Sequence, residues 1–239
     1  MTNTGPSDTR RDRTLLCIAA PRECRSVMDA LGGKHLQLPA AWDCLSLEGG
    51  IDIVLTGVGK SNASGATARV LDPRVHRAVY SAGIAGMLPG SGLELLDVVA
   101  ADRSVFGDEG IGTESGFVPM DEAGFGAFPD GRMHTDHDPG DVLRMISVDA
   151  RRGGVATVSW CSGSDECAAG VVKRTGAICE AMEGAAVALA ARRIDPTIRT
   201  GELRVISNTT GDRARQRWAL DEALERLGAV FGPALDTNG

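Results

Sequence analysis

The sequence predicts a single three-layer α/β/α domain with a central mixed, largely parallel sheet. Short apolar runs that suit buried strands alternate along the chain with segments of helical periodicity. No linker-like stretch divides them, and 239 residues is a length that large single α/β domains reach. Alternating strands and helices form a sheet that helices cover on both faces. We therefore expect one domain over residues 14–232, with flexible tails at 1–13 and 233–239.

Six apolar runs predict the strands, because each is short and bounded by turn residues. They are TLLCIAA (14–20), IDIVLTG (51–57), HRAVYSAG (76–83), LLDVVAADRSVFG (95–107), GGVATVSW (153–160) and GELRVIS (201–207). The last is expected near the centre of the sheet. Residues 107–140 are rich in Gly, Pro and Asp, which predicts long loops with short strands at most.

Five segments between these runs predict helices from their apolar spacing and their end signals. They are RECRSVMDALGG (22–33), SNASGATARVL (61–71), SDECAAGVVKRTG (164–176), GAAVALAARR (184–193) and ALDEALERLGAVF (219–231). Ligand sites in such sheets gather at the carboxyl ends of the strands. Polar residues that follow the predicted strands are therefore the candidates for function.

The composition narrows the class of protein. A net charge of −7 argues against broad binding to nucleic acid or acidic membranes. The N-terminal segment lacks the apolar core of a secretory signal, and no apolar run reaches membrane-spanning length. The six cysteines form no CxxC pair, and we expect reduced, buried thiols in a cytoplasmic protein.

Two glycine segments follow predicted strands. TGVGKSNASG (56–65) departs from a dinucleotide-binding loop at Asn62, and no acidic residue follows that could hold a ribose, so we expect no nicotinamide cofactor. A turn at Gly57 that lets backbone approach a small ligand fits better. SAGIAGML (81–88) is interpreted as a second strand-to-glycine transition, either a packing turn or a backbone floor under a flat ligand.

Two further segments contain candidate ligand or acid groups. MHTDHD (133–138) contains two histidines and two aspartates, but Pro139 and Gly140 follow it, and we interpret it as a solvated loop with no metal. Glu180 and Glu183 stand immediately before a helix of small residues. Carboxylates there are often partners of the helix dipole, yet the small residues suggest a helix pressed close against a ligand.

In this order and spacing, GVGKSNAS, AGIAGML, EAMEGAAVA and RVISN resemble the purine nucleoside phosphorylase and nucleosidase superfamily over residues 14–230. Within it, AGIAGML, MEGAA and ISN followed by Gly and DR…RW are most similar to the futalosine hydrolases of a menaquinone pathway. The related methylthioadenosine/adenosylhomocysteine nucleosidases carry an Asp where this chain has Asn208. The resemblance implies a nucleosidase-like fold and cleavage of a nucleoside without a cofactor.

The resemblance also implies roles for individual residues. Glu23 would activate water, and Glu183 would hold the ribose hydroxyls with Met182 packed on the sugar. Arg22 and Arg25 resemble a phosphate cradle, but the charge of Glu23 between them disfavours phosphate. The remaining predicted substrate contacts are Gly57, Ile84, Ala85, Gly86 and Ser207.

Asn208 is expected to read the base. An amide can accept from N7–H and donate to O6 of a 6-oxopurine, which favours hypoxanthine over adenine. If the substrate is futalosine, its carboxyphenyl arm needs a partner near the loop after Asn208. Arg213 is our candidate for the carboxylate and Trp218 for the ring; a solvated helix start is the alternative interpretation of that segment.

Several alternatives stay open on the residues alone. They are an adenine-type nucleosidase, a phosphate-dependent phosphorylase, a purine-binding module without turnover and, more distantly, an NAD oxidoreductase. The paired carboxylates Glu23 and Glu183 argue against the binding module. The resemblance further implies a homodimer or higher homo-oligomer, in which a neighbouring chain contributes to closing the site.

Overall fold

The computed structural model describes residues 12–114, 116–146 and 148–231. Its strands are β1 (Arg13–Ile18), β2 (Cys44–Ser46), β3 (Ile51–Leu55), β4 (His76–Met87), β5 (Val98–Phe106), β6 (Gly110–Thr113), β7 (Gly116–Pro119), β8 (His134–Asp136), β9 (Arg151–Thr157), β10 (Cys179–Ala181) and β11 (Arg199–Thr209). Its helices are α1 (Pro21–Ala30), α2 (Lys60–Val70), α3 (Pro139–Leu143), α4 (Asp165–Thr175), α5 (Gly184–Ile194) and α6 (Leu220–Phe231), with a 3₁₀ turn at Glu48–Gly50. Of the predicted tails, Arg13 opens β1, and residues 1–11 and 233–239 lie outside the described residues.

The main sheet is mixed and mostly parallel at its centre, as the sequence predicts. Its strand order is β10-β9-β5-β11-β4-β1-β3-β2, with β8 against β5. Central pairs such as β1–β4 and β4–β11 are parallel, whereas β5–β11 and β2–β3 are antiparallel. The short β10 pairs with β9 on one side and with the far end of β4 on the other. This closes one end of the sheet into a ring that the sequence did not suggest.

Side-chain alternation along β1 assigns helices to the two faces of the sheet. Leu16 and Ile18 belong to a core cluster with residues of α1 and α6. Leu15 and Cys17 belong to a second cluster with residues of α2 and α5. Because successive residues of a strand point to opposite faces, these pairs place the two helix layers on either side of the sheet. The predicted three-layer arrangement follows.

Three expectations about local structure are wrong. The packing-turn interpretation of 81–88 is wrong, because β4 runs without interruption to Met87, whereas the alternative of a backbone floor under a flat ligand stays a prediction. MHTDHD is not a solvated loop, because β8 pairs with β5 and His137 lies half-buried beside Ser104. Among the cysteines, Cys44 and Cys161 are exposed and Cys167 is half-buried, so only three thiols are buried, although all six are free.

Two features are absent from the described residues. No helix there is both long and apolar enough to cross a membrane. No group of three or more His, Cys, Asp or Glu side chains is placed to hold a metal ion.

Candidate active site

A cavity of about 490 Å³ lies at the carboxyl halves of β4 and β11 and beyond the carboxyl end of β1, with β10 as a further wall. Nine of the eleven predicted site residues line it. Gly57 and Arg213 do not, although Val58, the neighbour of Gly57, does. The lining residues are Ala19, Ala20, Pro21, Arg22, Glu23, Val58, Ile84, Ala85, Gly86, Cys161, Glu180, Ala181, Met182, Glu183, Ser207, Asn208, Trp218, Leu220 and Leu224.

Glu23 reaches the cavity from the first turn of α1. Pro21 stands at the start of that helix, where its missing N–H costs nothing. The Ala20 N–H donates to Glu23 Oε2 at 2.9 Å, and the Ile84 N–H donates to Oε1 at 2.9 Å. Burial raises the pKa of the Glu23 carboxyl, while the Ile84 amide and Arg204 act in the opposite direction. The carboxyl is therefore fixed in place and titrates above the ordinary range of a glutamate.

Glu183 stands between β10 and α5 and is held by two backbone amides. The Gly59 N–H donates to Oε1 at 3.0 Å, and the Met182 N–H donates to Oε2 at 3.2 Å. Gly57 and Gly59 have φ values of 85° and 95°, a region that favours glycine. The glycine turn predicted at 56–65 thus exists, and it presents an amide to the carboxylate of Glu183.

Arg204 lies close to both candidate catalytic carboxylates, Glu23 and Glu183, and was not among the residues predicted from the sequence. It is 1% exposed. Its Nη1 lies 3.4 Å from Glu183 Oε2, and its Nε donates to Glu202 Oε1 at 2.8 Å. A Cβ on Gly83 would lie 2.6 Å from Glu23 Oε1 and 2.7 Å from Arg204 Nη1, so both charged groups occupy the space that glycine leaves.

The carboxylates of Glu23, Glu183 and Glu202 therefore all lie close to one buried guanidinium, that of Arg204. Burial raises the pKa of Glu202, which is fully buried and faces Arg204. A buried ion needs a partner, and removing one member of such a cluster leaves an uncompensated charge. The signal in the sequence was a charged pair, Glu202 and Arg204, inside the apolar run GELRVIS.

The buried cluster continues away from the cavity through hydrogen bonds. Ser104 Oγ contacts the free oxygen of Glu202, and His137 Nε2 lies 2.8 Å from Ser104 Oγ. His137 Nδ1 lies 3.2 Å from Thr200 Oγ1. Burial lowers the pKa of His137 to about 4, so the ring is neutral near pH 7. Glu183 is thus connected through Arg204 and Glu202 to polar groups deep in the sheet.

Asn208 lies on the other side of the cavity, near the end of β11. Ser207 Oγ donates to Asn208 Oδ1 at 2.9 Å, and Asn208 Nδ2 donates to the Thr209 carbonyl at 2.9 Å. These bonds fix the direction of the amide and leave one acceptor site and one N–H unused. A Cβ on Gly86 would approach Asn208 Nδ2 to 3.0 Å, so glycine is needed beside the amide.

The chain was compared with known proteins. The sequence profile of the phosphorylase superfamily matches residues 47–235. Futalosine hydrolase of Acidothermus cellulolyticus is 37% identical over 187 residues, which cover 75% of this chain and 73% of that protein. Futalosine hydrolase of Streptomyces coelicolor is 36% identical over 205 residues, 82% of this chain and 79% of that protein.

The chain belongs to the phosphorylase superfamily, and within it to the futalosine hydrolases. It is accordingly a hydrolase that acts on N-glycosyl bonds.

Solved structures agree on the fold of this futalosine hydrolase family member. The native futalosine hydrolase of Helicobacter pylori has a TM-score of 0.69 at 18% identity, covering 95% of this chain and 96% of that one. A mutant of methylthioadenosine/S-adenosylhomocysteine nucleosidase from the same species, with 5′-methylthioadenosine in its active site, has a TM-score of 0.71 at 18% identity and covers 94% and 96%.

The loop after Asn208 is closed at its base in this member of the family. Asn208 and Trp218 form an isolated β-bridge. The Thr209 N–H donates to the Arg217 carbonyl at 3.0 Å, and the Arg217 N–H donates to Thr209 Oγ1 at 3.0 Å. The Ala219 N–H donates to the Ser207 carbonyl at 2.8 Å. Together these contacts hold Trp218 beside Asn208, although Trp218 is 51% exposed.

The arginines of this loop differ in their contacts. Arg215 is paired with Asp165 at 2.6 Å and with Asp212 at 2.9 Å. Arg213 has no ion-pair partner among the described residues, and its guanidinium lies 5.8 Å from the centre of the Trp218 ring. Of these two arginines, Arg213 is therefore the one whose charge is available.

A second cavity of about 750 Å³ lies between the β6–β7 hairpin and α4. Its walls include Phe117, Trp160, Lys173 and Arg174. It contains none of the residues predicted from the sequence, and Arg174 is already bonded to the Gly107 carbonyl at 2.9 Å. The geometry of the smaller cavity, with its paired carboxylates, fits the chemistry of the family better.

Proposed function

We propose that this enzyme hydrolyses the N-ribosyl bond of futalosine, releasing hypoxanthine and dehypoxanthine futalosine as a step of menaquinone biosynthesis. The observation that carries the proposal is the pair of buried carboxylates, Glu23 and Glu183, that face one cavity with an amide, Asn208, on its other side. The names of the relatives support the choice of substrate.

Glu23 activates the water. Cleavage of a ribosyl bond passes through an oxocarbenium-like state, and a carboxylate near the anomeric carbon can remove a proton from the attacking water. Each oxygen of Glu23 accepts only one backbone N–H, which leaves lone pairs for water. A raised pKa brings this base closer to the working pH, where general bases are most effective.

Glu183 holds the sugar. Its oxygens accept the ribose 2′- and 3′-hydroxyls, and its negative charge lies beside the positive charge that develops on the ring. The amides of Gly59 and Met182 keep the carboxylate in position before the substrate arrives. The Met182 side chain packs against the sugar as an adaptable apolar surface.

Asn208 and its neighbours bind the base. The unused acceptor and donor of the amide suit N7–H and O6 of hypoxanthine. Ile84, Ala85 and Gly86 form the strand surface on which the flat base lies.

Water rather than phosphate is the nucleophile. The two arginines that flank Glu23 are occupied elsewhere: Arg22 is paired with Asp221, and Arg25 with Asp29 at 3.1 Å. Arg204 is enclosed by Glu183, Glu202 and Ser81. A phosphate would also meet the charge of Glu23 directly, which disfavours a dianion at that place.

The 5′ arm of futalosine extends toward the closed loop. Its carboxylate pairs with Arg213, whose guanidinium lies beside Trp218, and its aromatic ring lies on Trp218. The family resemblance also supports a homo-oligomer in the cytoplasm, which light scattering on the purified protein would test. A monomer at micromolar concentration would contradict this part of the proposal.

The deciding experiment compares futalosine, inosine and 5′-methylthioadenosine, each with and without phosphate, and identifies the released base and sugar. We expect hypoxanthine and a free sugar from futalosine at a rate that phosphate does not change. A phosphorylated sugar would overturn hydrolysis. Faster release of adenine from methylthioadenosine would replace futalosine with the substrate named for the nucleosidase of Helicobacter pylori.

A further inference from the structure

Glu180 is a buried carboxylate on the cavity wall that the proposed mechanism does not use. It is 3% exposed and belongs to β10. The Ser162 N–H donates to Glu180 Oε1 at 2.7 Å, and Ser162 Oγ donates to Oε2 at 2.7 Å. A carboxylate has about four acceptor sites, so each oxygen keeps one for a ligand. No lysine or arginine is paired with it among the described residues.

Its place in the sheet relates it to Asn208. Glu180 pairs with Gly86 across the β10–β4 contact, and Asn208 pairs with Gly86 across the β11–β4 contact. The three residues therefore form one row across adjacent strands, and directly paired residues face the same side of a sheet. All three line the cavity. Because Gly86, the middle residue of the row, has no side chain, a slot remains between the side chains of Glu180 and Asn208.

The width of this slot suits a purine. Neighbouring strands lie about 4.8 Å apart, so the backbones of Glu180 and Asn208 are separated by about 10 Å. A bicyclic base with one hydrogen bond at each edge spans that gap. If Asn208 binds the N7 and O6 edge, the opposite edge of the six-membered ring is directed toward Glu180.

The two kinds of purine differ at that opposite edge. A 6-oxopurine carries a hydrogen on N1 and is a donor there, whereas adenine N1 carries a lone pair and is an acceptor. An ionised carboxylate only accepts. We propose that Glu180 accepts the N1–H of a 6-oxopurine base and thereby makes the enzyme select hypoxanthine nucleosides over adenine nucleosides.

Ser162 is the residue that keeps Glu180 ready for this contact. Burial raises the pKa of Glu180, and both hydrogen bonds from Ser162 act against that effect by favouring the ionised form. Gln216 donates to the Ser162 carbonyl at 3.0 Å and so ties this position to the loop after Asn208. The hydrogen bonds that hold Glu180 thus continue into the loop that follows Asn208.

The inference rests on the proposed function, because it concerns how the same site recognises its base. The test therefore measures binding of free bases separately from turnover. In wild type, calorimetry should give 10- to 100-fold weaker binding for 1-deazahypoxanthine, in which C–H replaces N1–H, than for hypoxanthine, as expected for a lost charge-assisted hydrogen bond. This arm needs no variant. Equal affinities would overturn the role of Glu180.

The second arm uses Glu180→Gln, which keeps the shape and offers an amide N–H to N1. We expect hypoxanthine affinity and the kcat/KM for inosine to fall roughly 10- to 100-fold, and adenine to bind more tightly than in wild type. Glu222→Gln, on the exposed first turn of α6, is the control and should change neither. An unchanged ratio of hypoxanthine to adenine affinity in a folded Glu180→Gln would refute the inference.

Failure of the wild type to hydrolyse futalosine would instead overturn the proposed function, while the base-binding data would still decide the role of Glu180.

Discussion

The two ends of the cavity differ in how their polar groups are held. At the ribose end, Glu23, Glu183 and Arg204 are buried, and each is bonded to backbone amides or to another charge. At the base end, Asn208 is half-buried and Trp218 is exposed, and a surface loop joins them. In the proposed mechanism, the first end supplies the groups that every ribosyl cleavage requires, and the second supplies groups that distinguish one nucleoside from another. Changes at the ribose end should therefore slow all substrates alike, whereas changes at the base end should alter preference.

The largest effect is expected at the ribose end. Glu23→Gln and Glu183→Gln should each lower kcat about 10²- to 10⁴-fold, because each removes a positioned acid, base or counter-charge. The loss should be equal for inosine and futalosine, which steady-state kinetics will measure, with circular dichroism as the check on folding. A loss of kcat for only one of the two nucleosides would contradict the proposed difference between the two ends of the cavity.

A second prediction concerns the groups behind the ribose end. The pKa of His137 is lowered to about 4 by burial, with a smaller contribution from Arg192, and the unfolded value is about 6.5. Unfolding therefore takes up a proton in this window, so the free energy of unfolding should fall as the pH decreases from about 6.5 to about 4, by roughly 3 kcal/mol from this residue.

Denaturant titrations at several pH values will measure this effect. His137→Gln should lose that part of the pH dependence, whereas His134→Gln, which leaves His137 in place, should keep it. The same slope in wild type and His137→Gln would show that His137 is not held neutral by burial.

At the base end, Asn208→Asp should change specificity. The aspartate loses the donor for O6, so kcat/KM for inosine should fall roughly 10- to 100-fold. Adenosine should gain little, because Glu180 still faces its N1; the gain should require Asn208→Asp together with Glu180→Gln. Kinetics with both nucleosides will measure this, and an unchanged preference for hypoxanthine in the double variant would mean that other groups read the base.

The smallest effect is expected at the loop. Arg213→Ala should raise KM for futalosine about 10-fold, at the low end for a charge-assisted hydrogen bond because Arg213 is exposed. KM for inosine, which lacks the 5′ arm, should not change. Arg215→Ala is the matched control, since Arg215 is already paired with two aspartates. An equal rise in KM for both substrates would mean that Arg213 stabilises the loop and does not bind the 5′ arm.

The main elements of the fold were predictable, because runs such as TLLCIAA and IDIVLTG are long enough to carry a pattern. The strand β10 was not, since three residues are too few to show alternation. His137 was misjudged because its aspartate neighbours suggest solvent, whereas its side chain contacts Ser104 and Thr200, which are distant in the sequence.

For the site, the resemblance brought together nine residues that line one cavity, since they lie within the carboxyl halves of strands or after them. Arg204 and Glu202 escaped notice, because their meaning depends on which carboxylates the fold places around them. Glu180 was noticed as a charge but had no assignable role until its pairing with Gly86 was known.

The closed base of the loop between Thr209 and Arg217 has a consequence for how such enzymes diversify. Since the bridge between Asn208 and Trp218 and the bonds at Thr209 fix the two ends, the residues between them, apart from Gly211 and Gln216, which donate to the Ser162 carbonyl, can change while the base contacts stay where they are. Insertions are tolerated best where the flanking backbone is anchored independently. The loop can therefore be replaced without moving its two ends. Enzymes with other loop sequences at this place are expected to accept new 5′ groups with the same catalytic carboxylates.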